Sequence, residues 1–169
     1  MWAKNVRYLD YNASSGVTGS VRQKLTEFLS RSDFYFANPS SSHRAGQQSQ
    51  QQLIRASMKI AQSLGKNVES SQLVFVSSGT EANQTVIRSA IRTADLVIIG
   101  IGEHSASYDL LPEISSTHKT VELPLLSNGQ YDLGKLSTLL SEHKDSNIFL
   151  SLFWANNETG VLTQMAELE

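Results

Sequence analysis

The sequence predicts an α/β fold, in which a mostly parallel sheet carries helices on both faces. Short and almost wholly apolar runs at 96–100 (LVIIG) and 147–154 (NIFLSLFW) are typical of strands buried on both sides. Segments with apolar residues at helical spacing separate such runs along the chain. Polar clusters follow the runs, as expected of loops at the carboxyl ends of parallel strands.

Two helices are predicted in the first part of the chain. Apolar residues that recur every three or four positions indicate a helix over 18–30 and a longer one over 44–64. Gly65 supplies a stop signal for the longer helix. His43, which follows a run of serines, is a candidate cap for its start.

The rest of the chain alternates between strand and helix signals, which is the pattern of parallel strands joined by crossover helices. No internal repeat or dividing linker is visible in it. Strands are predicted over 73–76, 96–100, 120–126 and 147–154. Helices are predicted over 106–114 and on two apolar stripes, one formed by Ala82, Val86, Ala90 and Ile91 and the other by Leu133, Leu136 and Leu140. Asp132 is the predicted N-cap of the last of these helices.

Composition excludes several classes of function. The 169 residues, 40% hydrophobic and 18% charged, suffice for one domain with a core. A net charge of −2 without a long basic run argues against a nucleic-acid partner. Neither a signal-peptide core nor a membrane-length apolar segment is present, so a cytoplasmic protein with no membrane partner is predicted. The absence of cysteine excludes disulfides and a cysteine nucleophile on this chain.

Three polar clusters hold the candidate functional residues: SSGTEAN after 73–76, GEHSAS after 96–99 and ANNETG after 147–154. Small hydroxyl residues and glycine at a helix start suit a phosphate, and a plain tight turn is the alternative. His104 could cap a helix, lie against an aromatic ring or act as acid or base. Asn157 could bond loop backbone or donate to a phenolate oxygen. No histidine pair has ligand spacing, so no metal site is predicted.

The motifs NPSSSH (38–43), SGTEAN (78–83) and ANNETG (155–160) occur in this order along the chain. In this combination, which is specific, the chain resembles the NifS-like cysteine desulfurases, which belong to the class V enzymes dependent on pyridoxal 5′-phosphate (PLP). The resemblance implies the N-terminal part of a fold type I large domain, so that 1–169 would be a partial PLP-binding domain. The matching pieces are YLDYNAS (8–14), NPSSSHRAG (38–46), SSGTEAN (77–83), GEH (102–104), SNGQYDL (127–133) and ANNETGVLTQMAEL (155–168).

The resemblance also implies roles for individual residues. Gly79 and Thr80 would hold the phosphate of PLP. His104 would stack on the ring as the catalytic histidine, and Asn157 would bond the phenolic oxygen. Ser78 stands where the family usually has glycine, which narrows the conformational freedom of the loop. A substrate pocket near a dimer interface would be bordered by Asn12, Asn38, Ser40 and His43.

The activity implied by the resemblance is removal of sulfur from L-cysteine, which gives L-alanine and an enzyme-bound persulfide for iron–sulfur cluster or thio-cofactor assembly. Expected partners are a second copy of the chain and a sulfur-acceptor or scaffold protein. The cofactor-binding lysine, the catalytic cysteine and the small C-terminal domain are expected beyond Glu169, so the chain alone is expected to be inactive. The alternatives are another class V enzyme, such as an aminotransferase or a selenocysteine lyase, or a non-enzymatic half-domain that binds a phosphate ligand or a partner.

Overall fold

The chain divides into two compact units, Met1–Phe75 and Val76–Glu169. The structure, a computed structural model, describes residues 7–30, 36–164 and 166. The first unit contains the two predicted helices, α1 (Gly19–Ser30) and α2 (Arg44–Leu64). Among the helices in these described ranges, none has both the length and the apolar character needed to cross a membrane.

Local signals set both ends of α2. The imidazole Nδ1 of His43 accepts a hydrogen bond from the backbone N–H of Gly46 at 3.2 Å, which satisfies one of the free donors at the helix start. At the other end, Gly65 has φ +155° and its N–H donates to the carbonyl oxygen of Ala61 at 3.3 Å. Both predicted ends are therefore confirmed.

The strand predicted at 73–76 is absent from the described structure, so this prediction was wrong. These residues belong to no sheet, and Val74 is 83% exposed. A 3₁₀ turn, Ser70–Gln72, precedes them. Apolar, β-branched and aromatic residues give the segment strand propensity, but a strand also needs a neighbour to pair its backbone N–H and C=O groups.

The second unit contains a three-stranded, fully parallel sheet. Its strands are β1 (Leu96–Gly100), β2 (Thr120–Leu123) and β3 (Ile148–Ser151), and their order is β2–β1–β3. In the register, Ile98 of β1 lies between Val121 and Leu150. The prediction of a mostly parallel sheet is confirmed.

Helices cover the two faces of this sheet, as predicted. They are α3 (Gly79–Ala90), α4 (Ser105–Tyr108), α5 (Leu111–Ser115) and α6 (Leu133–Glu142). Because side chains alternate along a strand, the central strand supplies both cores. One core contains Val97, Ile99, Ile87, Ile91, Leu110 and Ile114, and the other contains Leu96, Ile98, Leu123, Tyr131 and Leu136.

Several predicted boundaries differ from those observed. The strand predicted over 120–126 ends at Leu123, because Pro124 has no N–H to donate to a ladder. β3 is half the length predicted for 147–154. The single helix predicted over 106–114 is the pair α4 and α5. The cap at Asp132 is confirmed, since its Oδ1 accepts from the N–H of Lys135 at 2.9 Å.

Candidate functional site

The SSGT loop, at the start of α3, is held by hydrogen bonds among Ser77, Ser78 and Glu81. Ser78 is the N-cap, and its Oγ accepts from the backbone N–H of Glu81 at 3.1 Å. The Glu81 carboxylate accepts from both the N–H and the Oγ of Ser77, at 2.7 and 2.5 Å. These bonds from Ser77 hold the pKa of Glu81 below its usual range. The hydroxyl of Ser78 thus supplies a cap that glycine would lack.

The same loop leaves room for an anion. The backbone N–H groups of Gly79 and Thr80, in the first turn of α3, have no intrahelical acceptor, and the helix dipole is positive at this end. A Cβ built on Gly79 would meet nothing within 4 Å, so the backbone there is open to approach. The loop therefore has the donors and the space that a phosphate needs.

His104 is fixed at the start of α4. Its Nδ1 accepts from the backbone N–H of Ala106 at 3.0 Å, so a neutral ring carries its proton on Nε2. The chain reaches this position through Gly102, whose φ of +86° lies in the left-handed region that glycine tolerates best. The predicted capping role is confirmed, and the exposed ring remains available for a second contact.

Asn156 organises the ANNETG loop. Its Oδ1 accepts from the N–H groups of Glu158 and Thr159, both at 3.0 Å. Its Nδ2 donates to the carbonyl oxygen of Gly102 at 3.2 Å, which joins this loop to the GEH loop. The neighbouring Asn157 is exposed. Sequence reasoning missed Asn156, because either asparagine of the pair could have held the turn.

Glu103, which sequence analysis did not select, lies beside this junction. It lines a cavity of about 440 Å³ together with residues of α3 and β3. Burial raises the pKa of its carboxyl group, although the nearby Ser107, Ser151 and His104 oppose that shift. Its Oε1 is buried, and no group of the described residues is within hydrogen-bond reach of that oxygen.

The predicted substrate-pocket residues lie in the first unit. Asn38 folds the NPSSSH segment, because its Oδ1 accepts from the N–H of Ser40 at 2.9 Å and its carbonyl oxygen from that of Ser41 at 3.0 Å. A Cβ on Gly46 would lie 2.4 Å from the Ser41 carbonyl oxygen, so this position of the motif requires glycine. His43 caps α2, as described above, and Asn12 lies in an exposed turn.

The phosphate-type loop, His104 and the ANNETG loop thus belong to the second unit, whereas Asn12, Asn38, Ser40 and His43 belong to the first. In the second unit, α3 packs beside α4, and the bond from Asn156 to Gly102 joins the GEH and ANNETG loops. The second unit therefore contains an open helix start, an exposed histidine and an asparagine-rich loop joined to the GEH loop. Such a set suits a phosphorylated aromatic cofactor.

Comparison with known proteins defines the class. The model of the aminotransferase class V family matches residues 7–169, so the chain belongs to that family. The cysteine desulfurase NifS of Azotobacter vinelandii is 34% identical over 165 residues, which are 95% of this chain and 39% of that protein. The cysteine desulfurase IscS of Colwellia psychrerythraea is 30% identical over 167 residues, which are 95% of this chain and 40% of that protein. The chain spans about 40% of the length of these curated relatives.

Solved structures support the same fold. A NifS-like protein superposes with a TM-score of 0.80 at 25% identity, over 94% of this chain and 43% of that one. The cysteine desulfurase CsdA of Escherichia coli superposes with a TM-score of 0.71 at 24% identity, over 95% of this chain and 40% of that one. The predicted fold class is therefore confirmed: the chain has the α/β fold of the N-terminal part of a PLP-dependent transferase.

Proposed function

We propose that this chain supplies the phosphate-holding part of a PLP-dependent cysteine desulfurase, which converts L-cysteine to L-alanine and passes the sulfur on as a persulfide for iron–sulfur cluster or thio-cofactor assembly. The observation that carries the proposal is the start of α3, where a loop closed by Glu81 leaves the N–H groups of Gly79 and Thr80 without helical acceptors. The curated relatives NifS and IscS are named as cysteine desulfurases.

The residues present fit PLP. Gly79 and Thr80 would bind its phosphate through backbone N–H groups and the threonine hydroxyl. His104 would stack on the ring, in an orientation fixed by the N–H of Ala106. Asn157 would donate to the phenolic oxygen. When bound, PLP supplies an electron sink for the reacting carbon, and the protein supplies binding and orientation.

The Glu81 carboxylate limits the affinity of the loop alone. It places a negative charge at Ser77, immediately before the helix start. A phosphate without ring contacts would therefore bind weakly, with a Kd on the order of 1 mM. The rest of the site would provide the remaining affinity.

Sulfur transfer needs groups that these residues lack. The sequence has no cysteine, so the persulfide would be carried by a cysteine outside these 169 residues. Lys119 stands in a Ser-x-His-Lys pattern, at 116–119, but it lies at the amino end of β2, whereas the loops of the site follow the carboxyl ends of the parallel strands. We therefore propose that the chain alone is inactive. The proposed assembly is cytoplasmic, forms a homodimer, uses L-cysteine as substrate and has a sulfur-acceptor or scaffold protein as partner.

Phosphate titration followed by amide NMR tests the loop assignment. We expect inorganic phosphate to shift the backbone amides of 77–81, and we expect Thr80→Ala to weaken binding several-fold. Thr138→Ala is the matched control, because that hydroxyl donates to the Gly134 carbonyl oxygen within α6. Unchanged shifts in the Thr80→Ala protein would show that the loop is not the phosphate site.

The activity is tested by complementation. The chain is co-expressed with the part of Azotobacter vinelandii NifS that follows its matched region, and alanine released from L-cysteine is measured. We expect activity from the pair and none from either part alone, and we expect His104→Ala to abolish it. A soluble, PLP-bearing pair that releases no alanine would contradict the desulfurase assignment.

A further inference from the structure

The turn after β2 contains an asparagine followed by glycine, Asn128 and Gly129, and no other asparagine of the sequence has glycine after it. The turn is closed by the N–H of Leu126, which donates to the carbonyl oxygen of Gln130 at 2.8 Å. Gly129 has φ +81°, in the left-handed region that glycine tolerates best. Asn128 is exposed, so water reaches its side-chain amide.

The fold turns the side chain of Asn128 towards the backbone that follows it. Its Oδ1 accepts from the N–H of Gln130 at 3.0 Å, and this bond closes a ring that contains both the Cγ of Asn128 and the backbone nitrogen of Gly129. The donor would also stabilise negative charge on Oδ1 during attack at Cγ. One bond opposes such an attack, because the N–H of Gly129 donates to the carbonyl oxygen of Leu126 at 2.9 Å. A single bond at an exposed turn contributes little net stability, so it delays the attack without preventing it.

We propose that Asn128 is a site of spontaneous modification, at which asparagine converts to isoaspartate with loss of ammonia. The backbone nitrogen of Gly129 attacks Cγ of Asn128, and the side-chain amide nitrogen leaves as ammonia with the proton of the attacking N–H. Water then opens the cyclic imide. Cleavage beside the main-chain carbonyl carbon leaves the backbone running through Cγ, which is isoaspartate, and cleavage beside Cγ gives aspartate. Glycine favours the first step, because it has no Cβ to hinder the attack. The proposal is independent of the cofactor and of the sulfur chemistry.

The isoaspartate product would weaken the closure of the ANNETG loop. It lengthens the backbone of the turn by a methylene group, which the present hydrogen bonds do not fit. Gln130 joins the turn to that loop, because its Nε2 donates to the carbonyl oxygen of Leu162 at 2.8 Å. Gly129 lies close to Val161, since a Cβ on the glycine would be 3.0 Å from Cγ2 of Val161. The carbonyl oxygen of Val161 accepts from the N–H of Asn156 at 2.9 Å, so displacement of the turn should reach this pairing.

Ageing of the full chain in mildly alkaline buffer tests the site. Isoaspartate is quantified by methylation with isoaspartyl O-methyltransferase and located by peptide mass mapping. We expect it to accumulate at Asn128 as the intact peptide is lost, while the peptides that contain Asn12 and Asn157 stay intact. These two are internal controls, because both are exposed but are followed by alanine and glutamate. Asn128→Gln keeps Gly129 but requires a larger ring, so this variant should stay intact. Persistence of Asn128, equally fast conversion of either control, or formation of aspartate alone would overturn the proposal.

A second comparison separates the lengthened backbone from the added charge. Asn128→Asp carries the charge and keeps the acceptor for the N–H of Gln130, but it lacks the extra methylene group. We expect hydrogen exchange at the amides of Asn156 and Thr163 to be several-fold faster in the isoaspartate form, isolated by chromatography, and unchanged in freshly prepared Asn128→Asp. The N–H of Thr163 donates to the carbonyl oxygen of Trp154 at 2.8 Å, so it reports on the same loop. Unchanged exchange in the isoaspartate form, or equal acceleration in Asn128→Asp, would overturn the link to the loop. Loss of cooperative thermal melting in the isoaspartate form would also overturn it, because the effect would then be global.

Discussion

Replacement of Gly100 by alanine is expected to disrupt the core beneath the site. Gly100 is the last residue of β1. A Cβ at this position would lie 2.3 Å from the hydroxyl oxygen of Tyr131 and 2.5 Å from its Cε1 and Cζ atoms. Contacts this short do not persist, so the tyrosine ring would have to move. The ring is buried, with only 2% of the residue exposed, and has little space to do so.

The expected cost follows from what the ring contacts. Tyr131 packs on Phe153 with ring centroids 4.5 Å apart, and its hydroxyl oxygen accepts from the N–H of Phe153 at 3.4 Å. Overpacking a core costs about 1–3 kcal/mol. Loss of a buried hydrogen bond adds about 1 kcal/mol. We therefore expect Gly100→Ala to lower the free energy of unfolding by about 2–4 kcal/mol.

Urea unfolding, followed by far-UV circular dichroism, measures this loss. Gly79→Ala is the control, because its Cβ would meet no atom within 4 Å and should change stability by less than about 1 kcal/mol. Tyr131→Leu in the Gly100→Ala background removes the ring atoms that clash, so part of the loss should be recovered. If Gly100→Ala were as stable as Gly79→Ala, the close packing of Tyr131 on β1 would be refuted.

Three further predictions concern the site. Burial raises the pKa of Glu103 above its usual 4.5, so this carboxyl group binds a proton more readily in the folded chain than in the unfolded chain. The free energy of unfolding should therefore rise as the pH falls through the folded-state pKa towards 4.5. Urea midpoints measured across this pH range should show the rise, and Glu103→Gln should remove it. Asn156→Ala should speed hydrogen exchange at the amides of Glu158 and Thr159, whereas Asn157→Ala should leave these amides protected, since only Asn156 accepts their bonds. PLP followed by borohydride should label no single lysine stoichiometrically, because the lysine that follows Ser-x-His, Lys119, lies at the amino end of β2 and away from the loops of the site; peptide mass mapping would reveal any labelled lysine.

Elements with local signals were predictable from the sequence. The ends of α2 follow from the His43 cap and the Gly65 stop, which act within four residues of their partners. β1 was predictable because a wholly apolar run between polar clusters must be buried on both faces, and Leu96–Ile99 are fully buried.

Features that depend on distant partners were not predictable. The composition of 73–76 does not reveal whether a neighbouring strand is available to pair with it. The choice between Asn156 and Asn157 depends on the turn geometry and on the carbonyl oxygen of Gly102, which is 54 residues away in sequence. Glu103 was overlooked beside His104, because its significance lies in the buried position of one oxygen atom.

The loops of the site therefore depend on two kinds of interaction. Each loop is shaped by short-range hydrogen bonds in which a side chain accepts from a nearby backbone N–H: Ser78 from Glu81, His104 from Ala106, and Asn156 from Thr159. Their placement relative to one another depends on longer-range contacts, namely the pairing of β1 with β3 and the bond from Asn156 to Gly102. A change that weakens the pairing of β3 with β1 should therefore spare phosphate binding at α3, which packs on β1 through Ile87, while separating His104 from the ANNETG loop. The phosphate loop can keep its function when that pairing is weakened, but recognition of a whole cofactor requires the pairing of β1 with β3.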